Sequence, residues 1–177
     1  MALTATTIQA LIEAEIPSLQ DLRVVSHIRS LLVEPTEVLL EWEYGDEENP
    51  DPTFPGWLVL SHPQSNTGIA YCEFGFGPKT PWGLISLSNL SMGMDCGWFS
   101  YFLDAYFDST AATDLPIWRV FEQNGDSSSR VALTDEIDWD SAWREIKRLR
   151  AVDPISHYDC RHSILRTWIH SEEIRQG

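Results

Sequence analysis

A period-two alternation of side chains over Glu37–Tyr44 is the feature that most constrains the fold. Its even positions are all apolar, and all but one of its odd positions are glutamates, as the letters EVLLEWEY show. Because successive side chains of a strand point to opposite faces, the pattern predicts a β-strand with one apolar face and one mostly acidic face. The apolar face has to be covered, so the chain has to build a sheet with other elements packed on it.

Apolar and β-branched runs elsewhere predict further strands, and Pro, Gly and Asn signals for turns separate them. The short connections favour antiparallel pairing. We predict a hairpin of Leu22–Val33 with Glu37–Tyr44, a pair of Trp57–Ser61 with Ile69–Phe74, a strand at Trp82–Leu87, and a late hairpin of Ile117–Gln123 with Ser129–Leu133 around Asn124-Gly125. Together these segments predict an antiparallel meander of about six or seven strands.

Apolar residues at helical spacing predict helices at the N-terminus, in the middle and at the C-terminus. The predicted helices are Ala5–Glu15, Gly97–Phe107, Asp138–Arg150 and Ser163–Glu173. In the third helix the expected core stripe is Trp139, Ala142, Trp143, Ile146 and Leu149. The predicted fold is therefore α+β, with the helices packed on one face of the antiparallel sheet. No linker-like segment separates two cores, so residues 1–177 are predicted to form a single domain.

Negative charge is concentrated in the first part of the chain. The formal net charge is -15, with -17 in residues 1–142 and +2 in residues 143–177. Within the first part, Glu34–Asp51 holds eight acidic residues and no basic residue. This balance argues against a nucleic-acid binder, which needs clustered Lys and Arg to neutralise phosphates. The acidic segment is expected to be either a solvated face or a docking surface for a basic protein. A calcium site is a weaker alternative, because the segment lacks the order of an EF-hand loop.

The N-terminal residues and the cysteines predict an intracellular protein. Residues 1–20 show no basic, then apolar, signal-peptide pattern, and no window approaches the ~20 apolar residues that span a bilayer. We therefore expect a cytoplasmic protein that does not enter a membrane. Cys72, Cys96 and Cys160 are far apart and form no C-x-x-C pair, so free thiols in a reducing compartment are expected.

Aromatic residues around the segment FGFGPKTPWG are the second candidate for a binding surface. Phe76 and Trp82 flank residues that cannot join a strand ladder, and aromatic rings on a rigid loop suit recognition. The alternative for each ring is a place in the core. The predicted partner-binding residues are Glu41, Glu43, Asp46, Glu47, Glu48, Asp51, Phe76 and Trp82.

Reactive side chains are too sparse to favour an enzyme. The segment His157–His162 contains two His, an Asp and a Cys, but its spacing matches no known zinc motif, so a helix start with capping is the preferred interpretation. Cys96, next to Gly97, is a candidate nucleophile if it lies at a helix N-terminus. No G-x-S-x-G, H-E-x-x-H or S-x-x-K pattern is present. We expect neither a cofactor nor a bound metal.

The sequence thus favours a non-catalytic role. We predict an acidic cytoplasmic protein–protein interaction domain, in its most concrete form an inhibitor or immunity-type protein that neutralises a basic toxin or enzyme. The alternative is a small enzyme or metal-binding protein that uses Cys96 or the His157–His162 cluster. A homodimer without a small ligand is a third hypothesis.

Overall fold

The computed structural model describes residues 3–42, 53–74, 77–92, 97–123, 130–154 and 156–163. Within these ranges the chain forms helices and antiparallel sheet, which confirms the predicted α+β class. The helices are α1 (Ala5–Glu15), α2 (Leu22–Leu31), α3 (Phe102–Asp108) and α4 (Trp139–Val152). The strands are β1 (Leu32–Trp42), β2 (Thr53–His62), β3 (Thr67–Tyr71), β4 (Trp82–Ser86), β5 (Ser91–Met92), β6 (Trp98–Phe99), β7 (Trp118–Gln123), β8 (Arg130–Ala132) and β9 (His157–His162).

The chain divides into two compact units, a first unit within residues 1–112 and a second unit within residues 113–165. The strands accordingly form two sheets instead of the one expected from the sequence. The first has the order β5-β1-β2-β3-β4-β6, and the second has the order β8-β7-β9. The division into two units does not test whether the whole chain folds as a single domain, so the single domain stays a prediction.

The sheet of the first unit is the predicted meander. β1, β2, β3 and β4 are consecutive antiparallel neighbours, β6 joins β4 in the same sense, and only the short β5 runs parallel, beside the end of β1. Gly83 makes the β4–β6 pairing possible, because a Cβ atom there would lie 2.7 Å from the ring of Trp98. The close approach of two strands therefore depends on a residue without a side chain.

The alternation along β1 is confirmed for its described part. Leu40 is fully buried in a cluster with Ala70, Cys72 and Ile85 on one face of the sheet. On the opposite face of β1, Glu37, Leu39 and Glu41 are exposed. Glu43 and Tyr44, which continue the pattern in the sequence, lie outside the described residues.

The hairpin predicted for Leu22–Val33 is wrong, because Leu22–Leu31 is helix α2. The β-branched residues suggested a strand, but Val24 and Ile28 lie four apart and are both buried, which is a helical spacing. Asp21 caps this helix by accepting a hydrogen bond from the Arg23 amide at 2.9 Å.

Side-chain hydrogen bonds hold the helices of the first unit together beside the sheet. The carboxylate of Glu15, at the end of α1, accepts hydrogen bonds from the amides of Phe102 and Leu103 at 2.9 and 3.0 Å, and so caps the start of α3. His27 of α2 is hydrogen-bonded through Nδ1 to the Tyr106 hydroxyl of α3 at 2.8 Å. In the described part of the chain, no helix is long and apolar enough to cross a membrane.

The helix predicted at Gly97–Phe107 begins later than expected, at Phe102. Its first residues form β6 instead, because Trp98 and Phe99 pair with Gly83 and Trp82 of β4. The amphipathic spacing of the later residues correctly indicated a helix. The sequence of this segment alone does not show that Trp98 and Phe99 pair with a neighbouring strand.

The second unit packs α4 against a three-stranded sheet. Ala142 and Ile146 are buried as predicted, whereas Trp143 is 39% exposed and is not the core residue expected. Trp139 explains the difference. Its ring packs against that of Trp118, with the two centroids 4.5 Å apart, and Trp143 packs on the outer side of this pair, with its centroid 5.7 Å from that of Trp139. The turn at Asn124-Gly125 and nearly all of the last predicted helix, Ser163–Glu173, lie outside the described residues.

Candidate functional site

A row of four side chains crosses the sheet of the first unit. Glu37 of β1 is paired with Trp57 of β2, Trp57 with Tyr71 of β3, and Tyr71 with Trp82 of β4. Directly paired residues of antiparallel strands point to the same face and contact one another. The strand register thus places one carboxylate and three aromatic rings in a single row on one face of the sheet, and the two ends of the row differ in what covers them.

Trp82 and Tyr71 form the closed end of this row. The ring of Trp82 packs edge-on against Tyr71 at 4.9 Å and against Phe102 of α3 at 5.5 Å. Trp82 is only 2% exposed and Tyr71 7% exposed. The prediction that Trp82 binds a partner is therefore corrected: α3 covers it, and its ring belongs to the core.

Glu37 and Trp57 form the open end, where the sheet floor continues into a cleft of about 590 Å³. This acidic aromatic cleft is lined by Leu3, Glu37, Val38, Leu39, Pro55, Gly56, Trp57, Tyr71, Glu73 and Phe74. Strands β1, β2 and β3 contribute its floor. Leu3, two positions before the start of α1, lines one side. Its volume is in the range of clefts that bind small molecules, and it is large enough to admit a side chain of a partner.

Aromatic and aliphatic side chains form the walls of the cleft. Trp57 is half-buried there, so part of its indole faces the open space. Phe74 and Leu39 are 60% and 63% exposed, and they are among the few large apolar side chains that are exposed in the described residues. Exposed apolar side chains that gather around a concavity are typical of a binding surface.

The charged groups of the cleft are both carboxylates. Glu37 lies beside Trp57 through the β1–β2 pairing. Glu73 lies beside Tyr71, whose hydroxyl donates a hydrogen bond to Glu73 Oε1 at 3.0 Å. Among the described residues that line the cleft, none is basic, so both carboxylates face it without a cation from the lining. The arrangement suits a cationic group that also offers a flat or apolar surface.

Of the predicted partner-binding acids, Glu41 lies within the described residues. Glu41 is exposed and points to the same face as Glu37 and Leu39, so it extends the acidic side of the cleft along β1. Glu43, Asp46, Glu47, Glu48, Asp51 and Phe76 lie outside the described residues.

A second groove, of about 670 Å³, lies between α1 and the start of β1. Its main charges neutralise each other, since Arg29 donates two hydrogen bonds to the Glu13 carboxylate at 3.0 and 2.8 Å. These bonds hold the pKa of the Glu13 carboxyl below its usual value. The exposed Glu34 also lines this groove, and it provides a comparison for the glutamates of the acidic aromatic cleft.

The alternative site at His157–His162 has a different structure from the one predicted. The segment is strand β9 and not a helix start, so His157, Asp159 and Arg161 point away from Tyr158, Cys160 and His162. Burial, together with the Asp159 carboxylate, raises the pKa of the Cys160 thiol to about 11. The residues that the structure describes contain no group of three or more His, Cys, Asp or Glu side chains placed to hold a metal ion. Cys96 lies outside them.

Sequence reasoning missed most of the cleft. It placed Glu37 on an acidic strand face and Trp57 at the start of a predicted strand, but it did not select Trp57, Leu39, Tyr71, Glu73 or Phe74 as site residues. The available signal was the spacing of Tyr71 and Glu73, which puts a phenol and a carboxylate on one side of a strand end. Their position opposite Trp57 follows only from the register of three strands. Comparison with known protein families, with curated proteins and with solved structures finds no match to this chain.

Proposed function

We propose that this protein is an acidic interaction module that binds a basic segment of a partner protein in the acidic aromatic cleft. The observation that carries the proposal is the combination of two carboxylates and a half-buried indole in one open cavity. A cationic side chain bound there would contact a ring face and a carboxylate at the same time.

The exposed apolar side chains at the rim of the cleft favour a protein partner over a free small cation. Leu39 and Phe74 are exposed on it, and a protein surface would bury both when it docks. Large aromatic residues at the centre of an interface, surrounded by weaker contacts, usually supply most of the binding energy. Trp57 is the central aromatic residue in this arrangement.

The net charge of the chain supports a basic partner. A formal charge of -15 attracts cationic proteins over distances up to the Debye length and accelerates their association. In its most concrete form, the proposal is that the partner is a basic toxin or enzyme and that this protein inhibits it by occupying its basic surface. That form rests on size and charge, whereas the binding itself rests on the cleft.

The proposal is tested by titration with a peptide that contains several Lys and Arg residues, against a counterpart in which each is replaced by Gln. We expect binding of the basic peptide only, with an affinity that falls as salt is raised to about 0.5 M. Glu37→Gln should weaken the affinity by up to about fivefold, the range for an exposed ion pair. Glu34→Gln is the matched control, because it makes the same change on the same strand outside the cleft, and it should change the affinity much less.

Two results would contradict the proposal. Equal weakening by Glu37→Gln and Glu34→Gln would mean that only the overall charge matters and not the cleft. Equal binding of the basic peptide and its Gln counterpart would mean that cationic groups are not what the protein recognises.

A further inference from the structure

We infer that the partner group bound between Glu37 and Glu73 is an arginine side chain, with its guanidinium stacked on Trp57. This inference rests on the proposed function and makes it specific, because it distinguishes arginine from lysine. It depends on how the indole and the two carboxylates are placed relative to one another.

The two carboxylates come from chain segments on opposite sides of β2, the strand that carries the indole. Glu37 and Tyr71 are the partners of Trp57 on the two neighbouring strands, and strands are about 4.8 Å apart, so the backbones of these partners are roughly 10 Å apart. The Tyr71 hydroxyl holds Glu73 on the far side through its 3.0 Å hydrogen bond. A flat cation over Trp57 would therefore have a carboxylate near each of its edges.

A guanidinium fits this arrangement better than an ammonium. It is planar, stacks on aromatic faces, is weakly hydrated, and carries five N–H donors that point outward in its plane. Donors at its two edges can reach two carboxylates while its face contacts the indole. A lysine ammonium is a compact, strongly hydrated charge that cannot stack, so it would give up hydration at a half-buried site for fewer contacts.

The rim of the cleft also fits the rest of an arginine side chain. The three methylene groups of arginine pack on apolar surface while the charged end reaches further. Leu39 and Phe74 offer such surface at the mouth, both with more than half of the side chain exposed. The stem and the guanidinium would thus contact different parts of the same cavity.

The test uses three peptides that are identical except at one central residue, which is arginine, lysine or citrulline. Citrulline keeps the flat shape of arginine but has no charge. We expect the arginine peptide to bind roughly fivefold more tightly than the lysine peptide, as a desolvated cation–π contact allows, and the citrulline peptide to bind weakest.

Variants connect this preference to the cleft. Trp57→Leu should reduce the preference for arginine over lysine towards onefold, because it removes the aromatic face and keeps an apolar residue on the strand. Phe121→Leu in the second unit is the matched control, and it should leave the preference unchanged. Circular dichroism of each variant establishes that it is folded before its affinity is compared.

The outcomes separate this inference from the proposed function. Equal binding of the arginine and lysine peptides, both weakened by Glu37→Gln, would overturn the preference for arginine and leave the basic-partner proposal standing. Binding of the citrulline peptide as tight as that of the arginine peptide would overturn both. If neither cationic peptide binds, the proposed function itself is wrong.

Discussion

Trp57 and Trp82 lie in the same cross-strand row, two strands apart, and they have opposite roles in the structure. In the sequence both lie next to segments rich in Pro and Gly, but only Trp82 was selected as a candidate for partner binding. Trp82 is 2% exposed beneath Phe102, whereas Trp57 is half-buried at an open cleft. The difference shows that the helix packed over a strand, and not the loop beside it, decides whether a tryptophan of this row is buried in the core or lines the open cleft.

The position of α3 accounts for this difference. Glu15 caps the start of α3 through the amides of Phe102 and Leu103, and this contact holds Phe102 over Trp82. At the other end of the row, the described lining of the cleft comes from β1–β3, their flanking residues and Leu3, so the indole of Trp57 has open space beside it.

The largest expected effect is on folding stability, at the closed end of the row. Trp82→Ala should lower the free energy of unfolding by about 3–5 kcal/mol, because it removes a large buried ring and leaves a cavity. Denaturant unfolding measures the change. The variant should still bind the basic peptide under conditions where it is folded, and selective loss of binding without loss of stability would show that the two tryptophans have been assigned the wrong way round.

Trp57→Ala should have the complementary effect at the open end. We expect it to lower the binding free energy of the basic peptide by about 2 kcal/mol, the size typical of a central aromatic residue in an interface. Its cost in stability should be smaller than that of Trp82→Ala, because the ring is already partly exposed. Titration calorimetry together with denaturant unfolding checks both parts, and a stability loss as large as that of Trp82→Ala would contradict the comparison.

The sequence was sufficient to predict the features that depend on local patterns. The helix Ala5–Glu15 was predicted from local spacing, and the structure has the same bounds, with Thr4 at its N-cap accepting from the Thr7 amide at 3.1 Å. The acidic face of β1 followed from alternation alone. Local patterns determine these features, so a single sequence suffices to find them.

Features that depend on distant pairing could not be predicted. The cleft forms because Glu37 and Tyr71 are both paired with Trp57, and their separation along the chain gives no sign of that contact. The burial of Trp82 depends on Phe102, which is twenty positions later and is placed by Glu15. Helix α2 was mistaken for a strand because Val and Ile favour strands in general, whereas Asp21 and the spacing of the apolar residues decided for a helix here.

The second unit extends the comparison to a tryptophan that is more exposed than either Trp57 or Trp82. Trp143 is 39% exposed and contacts Trp139 edge-on, so Trp143→Ala should cost about 1–2 kcal/mol of stability, less than Trp82→Ala. Binding of the basic peptide should not change. Unfolding and titration of the one variant measure both quantities, and a change in peptide affinity would mean that residues outside the cleft take part in binding.

A small effect on binding is expected from Tyr71, the residue whose hydroxyl positions Glu73. Tyr71→Phe removes the hydroxyl that donates to Glu73 Oε1 and keeps the ring against Trp82. The binding free energy should fall by about 0.5–1 kcal/mol, because the carboxylate is then less well positioned. Tyr158→Phe makes the same change at a buried tyrosine of the second unit, and it should leave the affinity unchanged.

Cys160 provides a pH test of the alternative reactive site. Its folded pKa of about 11 lies above the value of 9.0 for an ordinary thiol, so the neutral form predominates up to that pH and little thiolate forms near pH 7. We expect alkylation of Cys160 to be slower in the folded protein than in urea, with a rate that keeps rising up to about pH 11, whereas the rate in urea levels off near pH 9. Peptide mass spectrometry reads out this residue alone, and rapid alkylation of the folded protein at neutral pH would favour a reactive site over a structural strand.

The most direct test of the acidic aromatic cleft is a nuclear magnetic resonance titration that follows the indole N–H signals of the tryptophans. Trp57→Phe and Trp118→Phe assign two of these signals, one in the cleft and one that is 5% exposed in the second unit. We expect the Trp57 signal to shift progressively and to saturation as the arginine peptide is added, while the Trp118 signal does not move. Saturable binding that leaves the Trp57 signal in place would contradict the assignment of this cleft as the binding site.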